Sequence, residues 1–215
     1  MRLSRSALLY IAAGLCAIAG AGFVLFGGVD TPRQAATTPA AEPDALPAAD
    51  MAALAGLRQG DMKKLNFHEE PKPVSDLAFV TADGGEGHLS DYRGKYMLLN
   101  FWATWCAPCR KEMPMLAQLQ RDYGGDAFEV VTLATGRNAP PAIKAFFAEI
   151  GVDNLPMHRD PQQAIAREMG VLGLPITVIV DPEGREIARL QGDADWSGPE
   201  ARAILEALLE PARDS

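Results

Sequence analysis

Two cysteines three residues apart, Cys106 and Cys109, carry the chemistry that this chain advertises. They lie where an apolar run, Tyr96 to Trp102, gives way to an amphipathic segment opening with Ala107-Pro108. If that segment is helical, Cys106 stands at its start and Cys109 lies one turn on, on the same face. The start of a helix has unpaired N–H groups and a partial positive charge. Such a site favours a thiolate, which makes Cys106 a nucleophile near neutral pH. Cys109 is then near enough to resolve a mixed disulfide, so the pair reads as a dithiol–disulfide switch. Pro108 falls in the first helical turn, where a missing N–H costs little. Ala107-Pro108 also adds no polar group that would stabilise the thiolate further. Trp105 offers apolar surface beside the sulfurs and shields them; Trp102 reads as core.

A Cys-x-x-Cys pair is also half of a zinc site, but a structural zinc takes four ligands. The three histidines, His68, His88 and His158, are isolated in the sequence and read as surface or loop residues. Met113 and Met115 read as packing residues rather than copper ligands. A reading from another class is a copper chaperone with Cu(I) held by Cys106 and Cys109, since adjacent thiolates suit a soft ion. No histidine lies beside the pair to support it.

The elements that must position the pair follow from pattern. Asp76 to Val80, a turn at Asp83-Gly84-Gly85, and Gly87 to Leu89 read as a hairpin. Tyr96–Trp102 is almost continuously apolar, as in a strand buried on both faces. The cysteine helix then runs to about Tyr123 and stops at Gly124-Gly125. Phe128 to Leu133 is a second buried strand, and Pro140 to Ile150 a helix ended by Gly151. Asp160-Pro161 reads as the N-cap and first position of another helix. Ile176 to Val180 is a β-branched strand, turned at Asp181-Pro182-Glu183-Gly184 into Glu186 to Leu190 as an antiparallel edge hairpin. Glu200 to Leu209 is a closing amphipathic helix. Strands alternating with helices give an α/β layered sheet with helices on both faces.

The whole chain sets the context. It has 215 residues, 48% of them apolar, enough for one domain and extra segments. The formal charge of −8 argues against nucleic-acid binding, which needs basic groups to neutralise phosphate. With only Cys16 besides the pair, no framework of structural disulfides is available. Arg2 and Arg5 precede an uncharged stretch from Ser6 to Val29. That stretch is long enough to span a bilayer and longer than the apolar core of a cleavable signal. Residues 1–29 therefore read as a membrane anchor whose arginines stay cytoplasmic, sending the remainder out. Cys16 reads as a small apolar residue of that helix. Residues 30–64, rich in Ala, Pro and Thr at first, read as a linker with a possible short helix over 51–60, and residues 65–215 as the folded domain.

The stretch Leu99-Asn100-Phe101-Trp102-Ala103-Thr104-Trp105-Cys106-Ala107-Pro108-Cys109-Arg110-Lys111-Glu112-Met113-Pro114, with Gly173-Leu174-Pro175-Ile176-Thr177 and Asp181-Pro182-Glu183-Gly184, resembles the thioredoxin superfamily. The match is to the membrane-anchored TlpA/ResA/CcmG group of thiol–disulfide oxidoreductases, and is nearest the alphaproteobacterial TlpA branch. That resemblance implies a thioredoxin-like mixed sheet flanked by helices, with an N-terminal β-hairpin extension. It implies a cis peptide at Leu174–Pro175 facing the cysteines, with the Leu174 backbone free to pair with an extended partner. A proline before the second cysteine implies a reductant. Thioredoxins carry an aspartate where this chain has Asn100, an amide that cannot act as a base. Proton handling then falls to Glu112, whose alternative reading is a solvated charge on a helix. The resemblance further implies a single-pass protein of the bacterial inner membrane with its domain in the periplasm, and no cofactor beyond the redox-active pair. Implied targets are copper-site cysteines of a Sco-type chaperone and of the oxidase copper subunit, or alternatively the haem-binding cysteines of apocytochrome c. The implied electron donor is a membrane thiol transporter of the CcdA or DsbD type.

Overall fold

The computed structural model describes residues 48–213. The expected anchor over 1–29, Cys16, and residues 30–47 of the expected linker lie outside the described residues. Among the described residues no helix is long and apolar enough to cross a membrane.

Eight strands form one mixed sheet among the described residues. In chain order they are β1 (Asn66–Pro73), β2 (Phe79–Val80), β3 (Glu86–Gly87), β4 (Tyr96–Trp102), β5 (Phe128–Thr135), β6 (His158–Asp160), β7 (Ile176–Val180) and β8 (Arg185–Gln191). The helices are α1 (Ala48–Gly56), α2 (Ala107–Tyr123), α3 (Pro140–Glu149), α4 (Ala164–Glu168) and α5 (Pro199–Arg213). Across the sheet the order is β1-β8-β7-β4-β5-β6-β2-β3. The β4–β5 and β5–β6 pairs are parallel; the others are antiparallel.

β4 is buried along its whole length, as its apolar run predicts. Alternate side chains go to opposite faces of a strand. Leu98 and Trp102 therefore join the core beneath α2, α3 and α5, whereas Met97, Leu99 and Phe101 join the second core, which includes Ile165 of α4. Asn100 shares the parity of Leu98 and Trp102, so it faces α2. The sheet register sets it beside Thr132 of β5 and Thr177 of β7.

Several elements depart from the pattern-based expectation. The β7–β8 hairpin forms but is not at an edge, because β1 pairs along β8. The sequence of β1, Asn66-Phe67-His68-Glu69-Glu70-Pro71-Lys72-Pro73, shows no alternation and two prolines, features of edge strands. The early hairpin forms with shorter strands, and β2 extends the sheet beyond β6. Asp160 ends β6 rather than capping a helix at Pro161. Its carboxylate still reaches the amides of Ala164 and Ala166, at 2.8 and 2.9 Å, and so holds the start of α4 from four residues away.

The expected short helix near residues 51–60 is α1, followed by a 3₁₀ turn at Gly60–Lys64. This stretch packs on the domain: Leu54, Met62 and Leu65 are buried in the same cluster as Trp196 and Leu208. Gly60 enters the turn at φ +51°, where glycine is unstrained. Core truncations leave cavities that cost roughly 2–5 kcal/mol. Leu65→Ala is expected to lower the free energy of unfolding in urea by about that amount, whereas a loosely tethered residue would give no change.

Candidate active site

Cys106 is the N-cap of α2, as its spacing from the apolar run predicts. β4 ends at Trp102, and the chain turns through Ala103-Thr104-Trp105, with the Cys106 amide donating to the Ala103 carbonyl at 3.1 Å. The Cys106 carbonyl accepts the first helical bond, from the Arg110 amide at 3.2 Å. Its sulfur accepts from the Cys109 amide at 3.3 Å. That amide is one of the orphan donors of a helix start, so the bond favours negative charge on Cys106 Sγ once the pair is reduced. Pro108, in the first turn, withdraws no needed donor. Cys106 and Cys109 are joined in a disulfide. Cys106 keeps 5% exposure and Cys109 none, so only the first sulfur meets an incoming partner.

The turn before Cys106 is held by a residue with no signal in the sequence. Asn138, buried in the loop after β5, accepts from the Thr104 amide at 2.8 Å and from the Thr104 hydroxyl at 3.0 Å. Its amide donates back to the Thr135 carbonyl. A single Asn in a Gly-Arg-Asn-Ala loop carries no periodicity that would mark it.

The Leu174–Pro175 peptide is cis, as the resemblance implied. Pro175 leads into β7, an interior strand between β4 and β8. The Pro175 carbonyl accepts from the Gly192 amide at 2.9 Å, whereas the Leu174 N–H and carbonyl have no partner among the described residues. Trp105, Leu172 and Leu174 line one open groove. Trp105 is 67% exposed and Leu172 95%, so the groove rim is apolar. Trp102 packs in the core against Phe146 and Phe147.

Glu112 is not a solvated charge. It faces the sheet and is fully buried. Asn100 Nδ2 donates to Glu112 Oε1 at 2.8 Å and to Thr177 Oγ1 at 2.8 Å. Trp196 Nε1 donates to Glu112 Oε2 at 3.3 Å, and the nearby Ala194 amide also favours the ionised carboxyl. The structure thus brings Asn100 and Glu112 together and adds Trp196, whose loop after β8 shows no pattern that would single it out. Asn100 Oδ1 has no partner among the described residues. Burial pushes the Glu112 carboxyl up to about 8, against the opposing pull of Asn100, Trp196 and the Ala194 amide.

Two histidines are not the surface or loop residues expected. His68 on β1 lies buried with Nε2 at 2.7 Å from Glu186 Oε1, which Arg189 also binds. His158 on β6 meets the Tyr92 hydroxyl at 2.9 Å. Among the described residues no three His, Cys, Asp or Glu side chains converge as metal ligands.

The raised Glu112 carboxyl has a consequence for stability. Above its ordinary 4.5, the unfolded chain ionises this group while the folded chain keeps it protonated up to about 8. Folding therefore takes up a proton in that window, and stability falls as pH rises through it, levelling above about 8. Thermal or urea unfolding between pH 5 and 8 is expected to lose roughly 3 kcal/mol more in the wild type than in Glu112→Gln. Equal slopes would mean that Glu112 ionises freely in the folded state.

Comparison with known proteins agrees with this geometry. Residues 71–187 match the family model described as the AhpC/TSA family. The thiol-disulfide oxidoreductase ResA of Bacillus cereus is 31% identical over 137 residues, covering 64% of this chain and 78% of that protein. ResA of Geobacillus thermodenitrificans is 36% identical over 126 residues, 56% of this chain and 71% of its own. The thioredoxin-like protein YneN of Bacillus subtilis is 34% identical over 117 residues, 54% and 68% of the two chains. Among solved structures, a thiol:disulfide interchange protein of DsbE type from Chlorobium tepidum superposes with a TM-score of 0.57 at 28% identity, over 65% of this chain and 97% of that one. The chain belongs to the AhpC/TSA family as a thioredoxin-fold thiol–disulfide oxidoreductase of the ResA kind.

Proposed function

We propose that the protein is a disulfide reductase of the bacterial periplasm, tethered to the inner membrane by residues 1–29. The observation that carries the reading is the asymmetry of the pair: Cys106 keeps a sliver of exposure, while Cys109 has none and precedes the buried Glu112 carboxyl by one turn of α2. In the reduced enzyme the Cys106 thiolate attacks one sulfur of a target disulfide. That S–S bond breaks, the other target sulfur leaves as a thiolate and takes a proton from water, and a mixed disulfide remains. Cys109 then loses its proton, for which the Glu112 carboxylate is the acceptor, and attacks Cys106 Sγ. The target leaves with its second thiolate, and the Cys106–Cys109 disulfide forms. Two electrons have passed from the pair to the target.

The apolar groove and the unpartnered Leu174 backbone suit an extended target segment that adds to the chain at Leu174 and rests side chains on Trp105. Ala107-Pro108 between the cysteines supports the reducing direction, since no polar group there stabilises the thiolate state further. In a compartment kept oxidising, the pair must be re-reduced. A membrane thiol transporter of the CcdA or DsbD type is the donor, and a membrane tether raises the effective concentration of the two partners. The targets are copper-site cysteines of a Sco-type chaperone and of the oxidase copper subunit.

Cys109→Ser leaves the mixed disulfide unresolved, so this variant is expected to accumulate covalent complexes through Cys106 in periplasmic extracts. Mass spectrometry of those complexes should return the copper-centre proteins. Recovery of apocytochromes c in their place would move the target to cytochrome c maturation. Equal trapping by Cys106→Ser would overturn the nucleophile assignment.

A further inference from the structure

The Trp196 indole, which donates to Glu112, comes from the loop that follows β8, and so does the Ala194 amide, which favours the ionised carboxyl. That loop is fastened from its other side by the 3₁₀ turn at Gly60–Lys64. Lys64 Nζ donates to the Asp193 carbonyl at 2.5 Å, and Asp61 Oδ2 accepts from the Asp195 amide at 3.1 Å. Lys111, on the same helix as Glu112, adds an ion pair to the Asp193 carboxylate at 3.0 Å. Beneath these polar contacts, Met62 and Leu65 are buried in one cluster with Trp196 and Ala194. Two backbone groups of the loop are thus held by side chains more than a hundred residues earlier.

We infer that the Gly60–Leu65 turn is a clamp: it seats the Asp193–Trp196 loop on Glu112, so the segment leading into the domain positions the carboxyl behind Cys109. The clamp acts on Glu112 in two ways. It delivers the Trp196 N–H donor to a carboxyl oxygen and holds the Ala194 amide near the carboxyl, and it closes the core over them against water. The charged groups around the loop are Asp61, Lys64, Lys111, Asp193, Asp195 and Glu200. Asp193 is the one whose charge acts on Glu112, disfavouring its ionisation. Asp61, Lys64, Asp195 and Lys111 are exposed or face the loop from outside, whereas Met62, Leu65, Ala194 and Trp196 form the seal. Because this segment also joins the domain to whatever lies upstream, a pull on it would be felt at the carboxyl. The importance of that carboxyl for Cys109 rests on the mechanism proposed above; the clamp itself does not.

The two actions have opposite signs, which makes the clamp testable. Trp196→Phe removes a donor but keeps the seal, so ionised Glu112 loses a charge-assisted hydrogen bond. Its midpoint should rise by about one pH unit. Asp61→Ala with Lys64→Ala cuts both polar fastenings at exposed positions and leaves Met62 and Leu65 in place. It should loosen the seal, admit water and lower the midpoint, since burial is the largest cause of the raised value. The measurement is the ¹³C shift of the Glu112 carboxyl against pH, in oxidised full-length protein in detergent, assigned with Glu112→Gln. A midpoint that moves in the double variant, together with faster amide exchange over Asp193–Trp196, supports the clamp; an unchanged midpoint with unchanged exchange in that loop overturns it. In parallel, stopped-flow resolution of a Cys106 mixed disulfide with a model thiol reads the role of Glu112. If the carboxyl midpoints move as expected and the rate profiles do not follow, the proton-acceptor reading of Glu112 fails while the clamp stands.

Discussion

Placing the Glu112 carboxyl inside the core carries a desolvation penalty that only well-aimed hydrogen bonds reduce. Those bonds arrive from separate parts of the chain. Asn100 reaches up from β4, while Trp196 comes across from the loop after β8 together with the nearby Ala194 amide. The loop is in turn fastened by Asp61 and Lys64. The result is a carboxyl held close to half-ionised in the mildly alkaline range, one turn of helix beyond the concealed cysteine. A group so poised is suited to accept and return a proton, whereas an ordinary surface glutamate would be ionised throughout and a poor acceptor.

The redox pair draws on a different and more local piece of physics. A fully buried strand, β4, ends at Trp102, and a helix starts four residues later with Cys106 as its cap. The cap position turns the unpaired donors of the first helical turn toward the sulfur. The strand and helix also differ in what they hide. Trp105 stands exposed next to the slightly exposed Cys106, whereas Cys109 and Glu112 are fully buried. Asn138 fixes the intervening turn from outside, by taking both hydrogen bonds that Thr104 offers. The exposed Trp105 and the buried Glu112 thereby lie on opposite sides of the disulfide in the sequence.

The elements that were legible in the sequence are those whose stability is local or strongly patterned. β4, β5 and β7 have near-continuous apolar runs, and α2 and α5 have an apolar stripe and clear end signals. β1 and β6 were not legible. β1 is polar and contains two prolines; it exists because β8 offers it a pairing edge and because His68 meets the buried Glu186, which half-buried Arg189 also binds. β6 has three residues and no independent pattern. Asp160 shows a related limit. Its type foretold a helix start, and it does hold the amides of Ala164 and Ala166, but from the end of a strand rather than from the cap position. Which amides a carboxylate reaches is a matter of chain path, and the path is set by the sheet.

What the sequence determined by itself is the reaction. Spacing places both sulfurs on one helical face at a helix start, and no change elsewhere in the fold removes that thiolate preference, because it arises within a single turn. Family motifs added the cis-proline and the sheet around it. What only the tertiary structure decided is the burial and bonding of the Glu112 carboxyl. Asn100 and Glu112 stood out in the sequence, but Trp196 and the Gly60–Leu65 turn, which complete the surroundings of that carboxyl, did not. Desolvation depends on everything that covers a group rather than on its neighbours in the chain. A glutamate three residues beyond a cysteine reads equally well as solvent-facing or buried until the elements that cover it are in place.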